Sequence, residues 1–158
     1  MTRTKVGGLI ECPGMCLVEI RGYVEQKNEP CVILCELGQR DISLHYVSIG
    51  DSETGDRNMA LCIDRHQCGD QKELMELLEL EVAPKDIRIR KNAMTMTLYG
   101  PHFKERPNLI GELYSTFKKA QIDVWSVCSS VNSISFVIDE GTAPTARSVL
   151  RATFEWPS

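Results

Sequence analysis

The sequence predicts an α+β chain built from two ferredoxin-like βαββαβ units in tandem. Three observations predict it. Short runs alternate apolar and polar residues with the period of two that half-buried strands require. Stretches with apolar residues at helical spacing separate them in the order strand, helix, strand, strand, helix, strand. The same order then starts again near residue 93, an internal repeat of about half the 158-residue chain.

In the first unit, Cys16-Leu17-Val18-Glu19-Ile20-Arg21 reads as a strand stopped at Gly22. Pro30 to Leu37 places Val32, Ile33 and Leu37 on one helical face, with Gly38 as the expected stop. Ile42 to Ile49 and Asn58 to Asp64 are the next two strands. Asp70 to Leu80 is the second helix, carrying Leu74, Leu77 and Leu78, with Asp70 and Glu73 at capping-box spacing. Ile87 to Arg90 alternates as the closing strand.

The second unit opens with Met94 to Tyr99, a strand ending at Gly100. A helix follows with Leu109, Leu113, Phe117 and Ala120 on one face. Ile122 to Val127 and Ile134 to Ile138 are strands, and the last helix begins near Pro144, where proline suits the first turn. This unit lacks a final strand, whereas the first has a surplus one at Lys5 to Glu11. An exchange of terminal strands between the units repairs both counts. The expected domains are residues 1–92, including the N-terminal strand, and 93–158.

Composition narrows the function. Apolar residues make up 42% and charged residues 25% of the chain, as in ordinary globular proteins. The net charge of -4 gives no basic field for nucleic acid and opposes an anionic membrane. No apolar run is long enough to span a bilayer, and no signal peptide is legible. The seven cysteines, an odd number, read as free thiols in a reducing compartment, so a cytoplasmic protein is expected.

The second half resembles the last ACT domain of the aspartate kinase regulatory region. Tyr99-Gly100-Pro101-His102-Phe103 leads into Pro107-Asn108-Leu109, similar to the family's strand, glycine, loop and Pro-Gly helix entry, with Asn108 in place of Gly. Ile122-Asp123-Val124 resembles its Ile-Asn-Ile strand, Ser133 to Asp139 its Ile-Ser strand, and Ala146 to Phe154 its closing helix. The first half is similar more loosely: Leu17 to Gly22 and Pro30-Cys31 stand for the first ACT domain's strand and Pro-Gly entry. The chain includes no kinase catalytic domain, so the resemblance implies a non-catalytic regulatory module.

Such modules bind amino acids between domains or subunits. The resemblance therefore implies ligand contacts at Gly22, Glu25, Pro30 and Cys31 in one loop, at Gly100, His102, Pro107 and Asn108 in the equivalent loop, and at Ile122, Asp123 and Val124 opposite. The physics is plain. A loop entering a helix start offers backbone N–H groups to a carboxylate. A carboxylate such as Asp123 repels that end of the ligand and receives its ammonium. No cofactor is expected. The expected partners are an amino-acid effector, a second copy in a homodimer and a separately encoded enzyme.

Two other readings stand beside this one. A scaffold that kept the fold and lost the ligand would act by protein–protein contact. A thiol- or metal-dependent sensor would use the C-x3-C pairs, of which Cys31 and Cys35, one helical turn apart, are the best placed. Against the sensor, Cys16, Cys62 and Cys128 fall in or beside strands, where cysteine is a common small buried residue. No metal site is expected. His45, His66 and His102 fit no catalytic motif, and Lys85, Arg88, Arg90 and Lys91 read as a solvated basic face.

Overall fold

Alternation and helical spacing resolve into six strands and four helices among the described residues of a computed structural model, which are 3–23, 29–53, 55–68, 71–101 and 103–157. In chain order these are β1 (Gly8–Tyr23), α1 (Glu29–Gln39), β2 (Leu44–Asp51), β3 (Arg57–Asp64), α2 (Gln71–Val82), β4 (Asp86–Tyr99), α3 (Leu109–Lys119), β5 (Val124–Ser129), β6 (Ser133–Asp139) and α4 (Ala143–Thr153). Single 3-10 turns at Phe103–Glu105 and Glu140–Thr142 lead into α3 and α4.

Two compact units result: residues 14–91, and residues 92–158 together with 1–13. The division expected at 92/93 is one residue away, but residues 1–13 gather with the second unit and not the first. In the 14–91 unit the strand order is β2-β3-β1-β4; in the other it is β1-β4-β6-β5. Each is a complete βαββαβ sheet. The 92–158 unit takes its missing last strand from the N-terminal half of β1, which is the exchange the strand count called for. The chain ends meet there as well. Val6 N donates to Glu155 O at 3.0 Å and Glu155 N to Thr4 O at 2.9 Å, and Lys5 and Glu155 form a parallel bridge.

Each unit lays two helices on its sheet. In the 14–91 unit, Ile33 and Leu37 of α1 and Leu74 and Leu78 of α2 close over Cys16, Val18, Ile20, Met59, Leu61 and Ile63. In the 92–158 unit, Leu109, Leu113 and Phe117 of α3 and Ala146 and Leu150 of α4 close over Met94, Met96, Leu98, Phe136 and Ile138. Phe117 meets Phe136 edge to face, with ring centroids 4.8 Å apart. Trp156 packs half-buried against this core beneath the Arg151 guanidinium, 5.7 Å from its ring.

Several element boundaries differ from the sequence reading, each for a local reason. The candidate strands Ile87–Arg90 and Met94–Tyr99 are one strand, β4. Its inward residues switch from odd (Ile87, Ile89) to even (Met94, Met96, Leu98) across Asn92, whose φ is 59°. Gly38 does not stop α1, which runs through Gln39. Asp41, with φ 57°, stops it. Ile42 and Ile122 precede their strands, because their amides cap the helices before them: Ile42 N donates to Leu37 O and Ile122 N to Phe117 O, both at 2.9 Å. The capping box cannot be followed, since Asp70 lies outside the described residues.

Candidate functional site

The expected site residues are best traced within each unit. In the 92–158 unit, α3 ends in a Schellman-type turn: Gln121 has φ 57°, its N–H donates to Lys118 O, and Ile122 N–H reaches back to Phe117 O. That turn buries Ile122 and leaves Asp123 exposed at the mouth of β5. Ile122, Asp123 and Val124 therefore line one groove of about 490 Å³, together with Tyr114, Lys118 and Gln121. Tyr114 and Lys118 stand one turn apart on the same face of α3. The lining of the groove thus includes a cation, an anion and an aromatic ring.

The start of the same helix is a different place. Asn108 lines a second groove of about 720 Å³ with Thr4, Arg106, Gly111, Glu112, Ser115, Thr116 and Lys119. The 11 residues of α3 separate Asn108 from Asp123, about 16 Å at the rise of an α-helix. One small amino acid cannot touch both. Asn108 has φ -101°, so its tolerance for left-handed backbone is not used. Its carboxamide oxygen instead lies 2.7 Å from where a Cβ on Gly111 would stand. Pro107 is exposed beside it. His102 lies outside the described residues.

The two loop glycines do allow close approach, but to their own chain. Gly100 N donates to Asn132 O at 2.8 Å, and Phe103 Cε1 lies 2.8 Å from where its Cβ would be. Gly22, at φ 67°, donates its N–H to Asn58 Oδ1 at 3.1 Å, and the Lys85 stem occupies the space of its missing side chain. Neither amide is open to a ligand carboxylate in this arrangement. Pro30 sits in the first turn of α1, followed by the exposed Cys31, while Glu25 lies outside the described residues.

The 14–91 unit has its own polar groove, of about 500 Å³, lined by Glu19, Arg21, Ser48, Asp51 and Asn58 among others. Glu19 anchors it. Arg21 Nη2 donates to Glu19 Oε1 at 2.8 Å, Arg90 Nε donates to Oε2 at 3.0 Å, and Arg88 approaches at 4.0 Å. Burial by itself raises the Glu19 carboxyl; the hydrogen bonds from Arg21 and Arg90, with their charges, outweigh it and hold it below its ordinary value. Of the basic residues expected to form a solvated face, Arg88 and Lys85 are exposed while pairing with Glu19 and Asp56, and Arg90 is the more buried partner of Glu19.

The cysteines separate by burial. Cys16, Cys62 and Cys68 are buried, and burial pushes the Cys62 and Cys68 thiols up to about 12. Such thiols stay protonated and inert. Cys31 and Cys35 are exposed on α1. Among the described residues, no group of three or more His, Cys, Asp or Glu gathers to hold a metal. No described helix is long and apolar enough to cross a membrane.

With both units laid out, the chain can be compared with known structures. It superimposes on the ligand-free regulatory subunit of aspartate kinase from Thermus thermophilus with a TM-score of 0.81, over 96% of this chain and 100% of that one, at 16% identity. The fold is that of the aspartate kinase regulatory region. Aspartate kinase from Synechocystis matches with a TM-score of 0.83 over 99% of this chain and 29% of its own length, at 12% identity. E. coli aspartokinase III in complex with lysine and aspartate matches with a TM-score of 0.70 over 97% of this chain and 34% of its own, at 14% identity. No protein-family model and no curated protein sequence matches the chain. The chain thus shares the fold of these regulatory regions at low sequence identity.

Proposed function

We propose that the chain is a non-catalytic regulatory module that binds a free amino acid in the α3–β5 groove. One observation carries the reading: Lys118 and Asp123 line the same groove as Tyr114 and the apolar Ile122 and Val124. A zwitterion needs a partner of each sign at close range. Asp123 takes the ammonium, Lys118 takes the carboxylate, and the ring of Tyr114 packs on the ligand side chain. The fold adds support, since the E. coli neighbour is a complex with lysine and aspartate. Ligand binding would tighten an inter-domain or inter-subunit interface of a cytoplasmic homodimer and so regulate a separately encoded enzyme.

A thermal-shift screen of the purified chain against the common amino acids tests this, followed by calorimetric titration of any hit. A charge-assisted hydrogen bond is worth about 1.5–3 kcal/mol. Asp123→Ala should therefore weaken binding by about 10- to 100-fold while leaving the ligand-free melting temperature nearly unchanged. If no amino acid raises the melting temperature at millimolar concentration, the chain is the ligand-free scaffold instead. If one binds and Asp123→Ala leaves its affinity intact, the α3–β5 groove is not the site.

A further inference from the structure

We propose that Cys31 and Cys35 form a two-thiolate site for a tetrahedral, thiophilic divalent cation of the zinc and cadmium class. Both side chains are exposed, lie one turn apart on α1, and bring their Sγ atoms to 3.7 Å. Two metal–sulfur bonds of about 2.3 Å at a tetrahedral angle hold their sulfurs roughly 3.8 Å apart. The helix has already set that distance.

The same geometry disfavours the competing fate of two neighbouring thiols. A disulfide requires Cβ atoms about 3.5–4.5 Å apart, whereas residues four apart on a helix keep them about 5–6 Å apart. A disulfide must therefore distort α1, and a bridging cation need not. Cys16, Cys62 and Cys68 are no rivals for the cation, because they are at most 2% exposed. No third His, Cys, Asp or Glu joins the pair among the described residues. Two coordination positions are left to water, so the site is open and exchangeable. Binding replaces the two thiol protons, which pass to solvent, by two metal–thiolate bonds.

The experiment titrates the reduced full-length chain with cadmium ion and follows the ultraviolet thiolate-to-cadmium charge-transfer absorption. One equivalent should develop the band, and the bound cation should protect two thiols per chain from alkylation. Cys31→Ser and Cys35→Ser should each weaken binding at least about tenfold, the loss of one of two anionic ligands, with helix content unchanged by circular dichroism. Cys128→Ser, at a half-buried strand position of the 92–158 unit, should leave the titration unaltered. A band that persists with the same affinity in Cys31→Ser, or no band in the parent chain, overturns the proposal.

Discussion

In the 92–158 unit the core is aromatic: Phe103, Phe117, Phe136 and Phe154 are all buried, two of them in edge-to-face contact. In the 14–91 unit the equivalent cluster of described residues holds Cys16, Cys68, Met59 and aliphatic residues together with Tyr23. The two units have the same strand and helix order. The βαββαβ plan demands apolar volume on one sheet face and one helix face, and accepts different shapes to supply it. That is how identities of 12–16% coexist with TM-scores near 0.8 in the structural neighbours. The polar chemistry differs more. The first unit gathers three arginines on a carboxylate, and the second sets a lysine and an aspartate on the rim of an open groove.

The largest effect should come from the strand that one unit takes from the far end of the chain. Deleting residues 1–11 removes Val6 from the 92–158 core, the pairing with Glu155 and the 2.7 Å ion pair from Arg147 to Glu11. Burial of Val6 alone is worth about 1.5–3 kcal/mol. We expect a total loss of about 3–5 kcal/mol and a fall in melting temperature of roughly 10 °C or more. Amide exchange should show the loss in residues 92–157 before residues 29–91. An unchanged melting temperature would mean that the strand does not complete this sheet.

That exchange was legible in the sequence because it is a matter of counting strands. Other features were hidden by their range. The period-two pattern of β4 breaks where the inward parity changes at Asn92, so one strand looked like two. Ile42 and Ile122 look like strand residues because they are β-branched and apolar, but their backbone amides belong to the helix ends. At the proposed site, the sequence singles out Asp123, which lines the α3–β5 groove. Lys118 and Tyr114 were overlooked, although their i,i+4 spacing beside the turn was the available signal. The fate of Gly22 and Gly100 was not legible, since their amides are taken by Asn58 and Asn132, remote or irregular partners with no local pattern. Glu19 and Arg90 are 71 positions apart and give no local pattern either.

Glu19 supplies the intermediate effect, and it distinguishes the units by pH. Its folded-state carboxyl lies below its ordinary value, so its contribution is fully present above the unfolded pKa. It is lost as the pH falls through the folded pKa. Glu19→Gln should cost about 1 kcal/mol at neutral pH, the scale of a well-formed ion pair near the surface. The cost should shrink in acid, where the parent carboxyl is itself protonated. Urea unfolding at neutral pH and in acid measures both. A cost that stays constant across that range would show that Glu19 acts by packing and not by charge.

The smallest effect tests the one device that the units share to the residue. Both first helices end in the same 6→1 bond, Ile42 N to Leu37 O and Ile122 N to Phe117 O, with a 5→2 bond inside it from Asp41 N to Gly38 O and from Gln121 N to Lys118 O. Both place a non-glycine residue at φ 57°. Left-handed backbone costs an ordinary L-residue about 1–2 kcal/mol, and glycine nothing. Part of that gain is offset by the larger entropy of glycine in the unfolded chain. Gln121→Gly should therefore stabilise the protein by about 0.5–1 kcal/mol. Aspartate visits this region more readily than glutamine, so Asp41→Gly should gain only a few tenths. Asp41 also accepts a 2.8 Å hydrogen bond at its backbone oxygen from Gln67 Nε2, which glycine keeps. The comparison has a built-in check, because Gln121 lines the proposed amino-acid groove and Asp41 does not line it. If Gln121→Gly stabilises the fold but weakens the ligand, the glutamine is retained for binding at the expense of stability. If the two variants gain equally, the difference between aspartate and glutamine at a helix end is not what separates these turns.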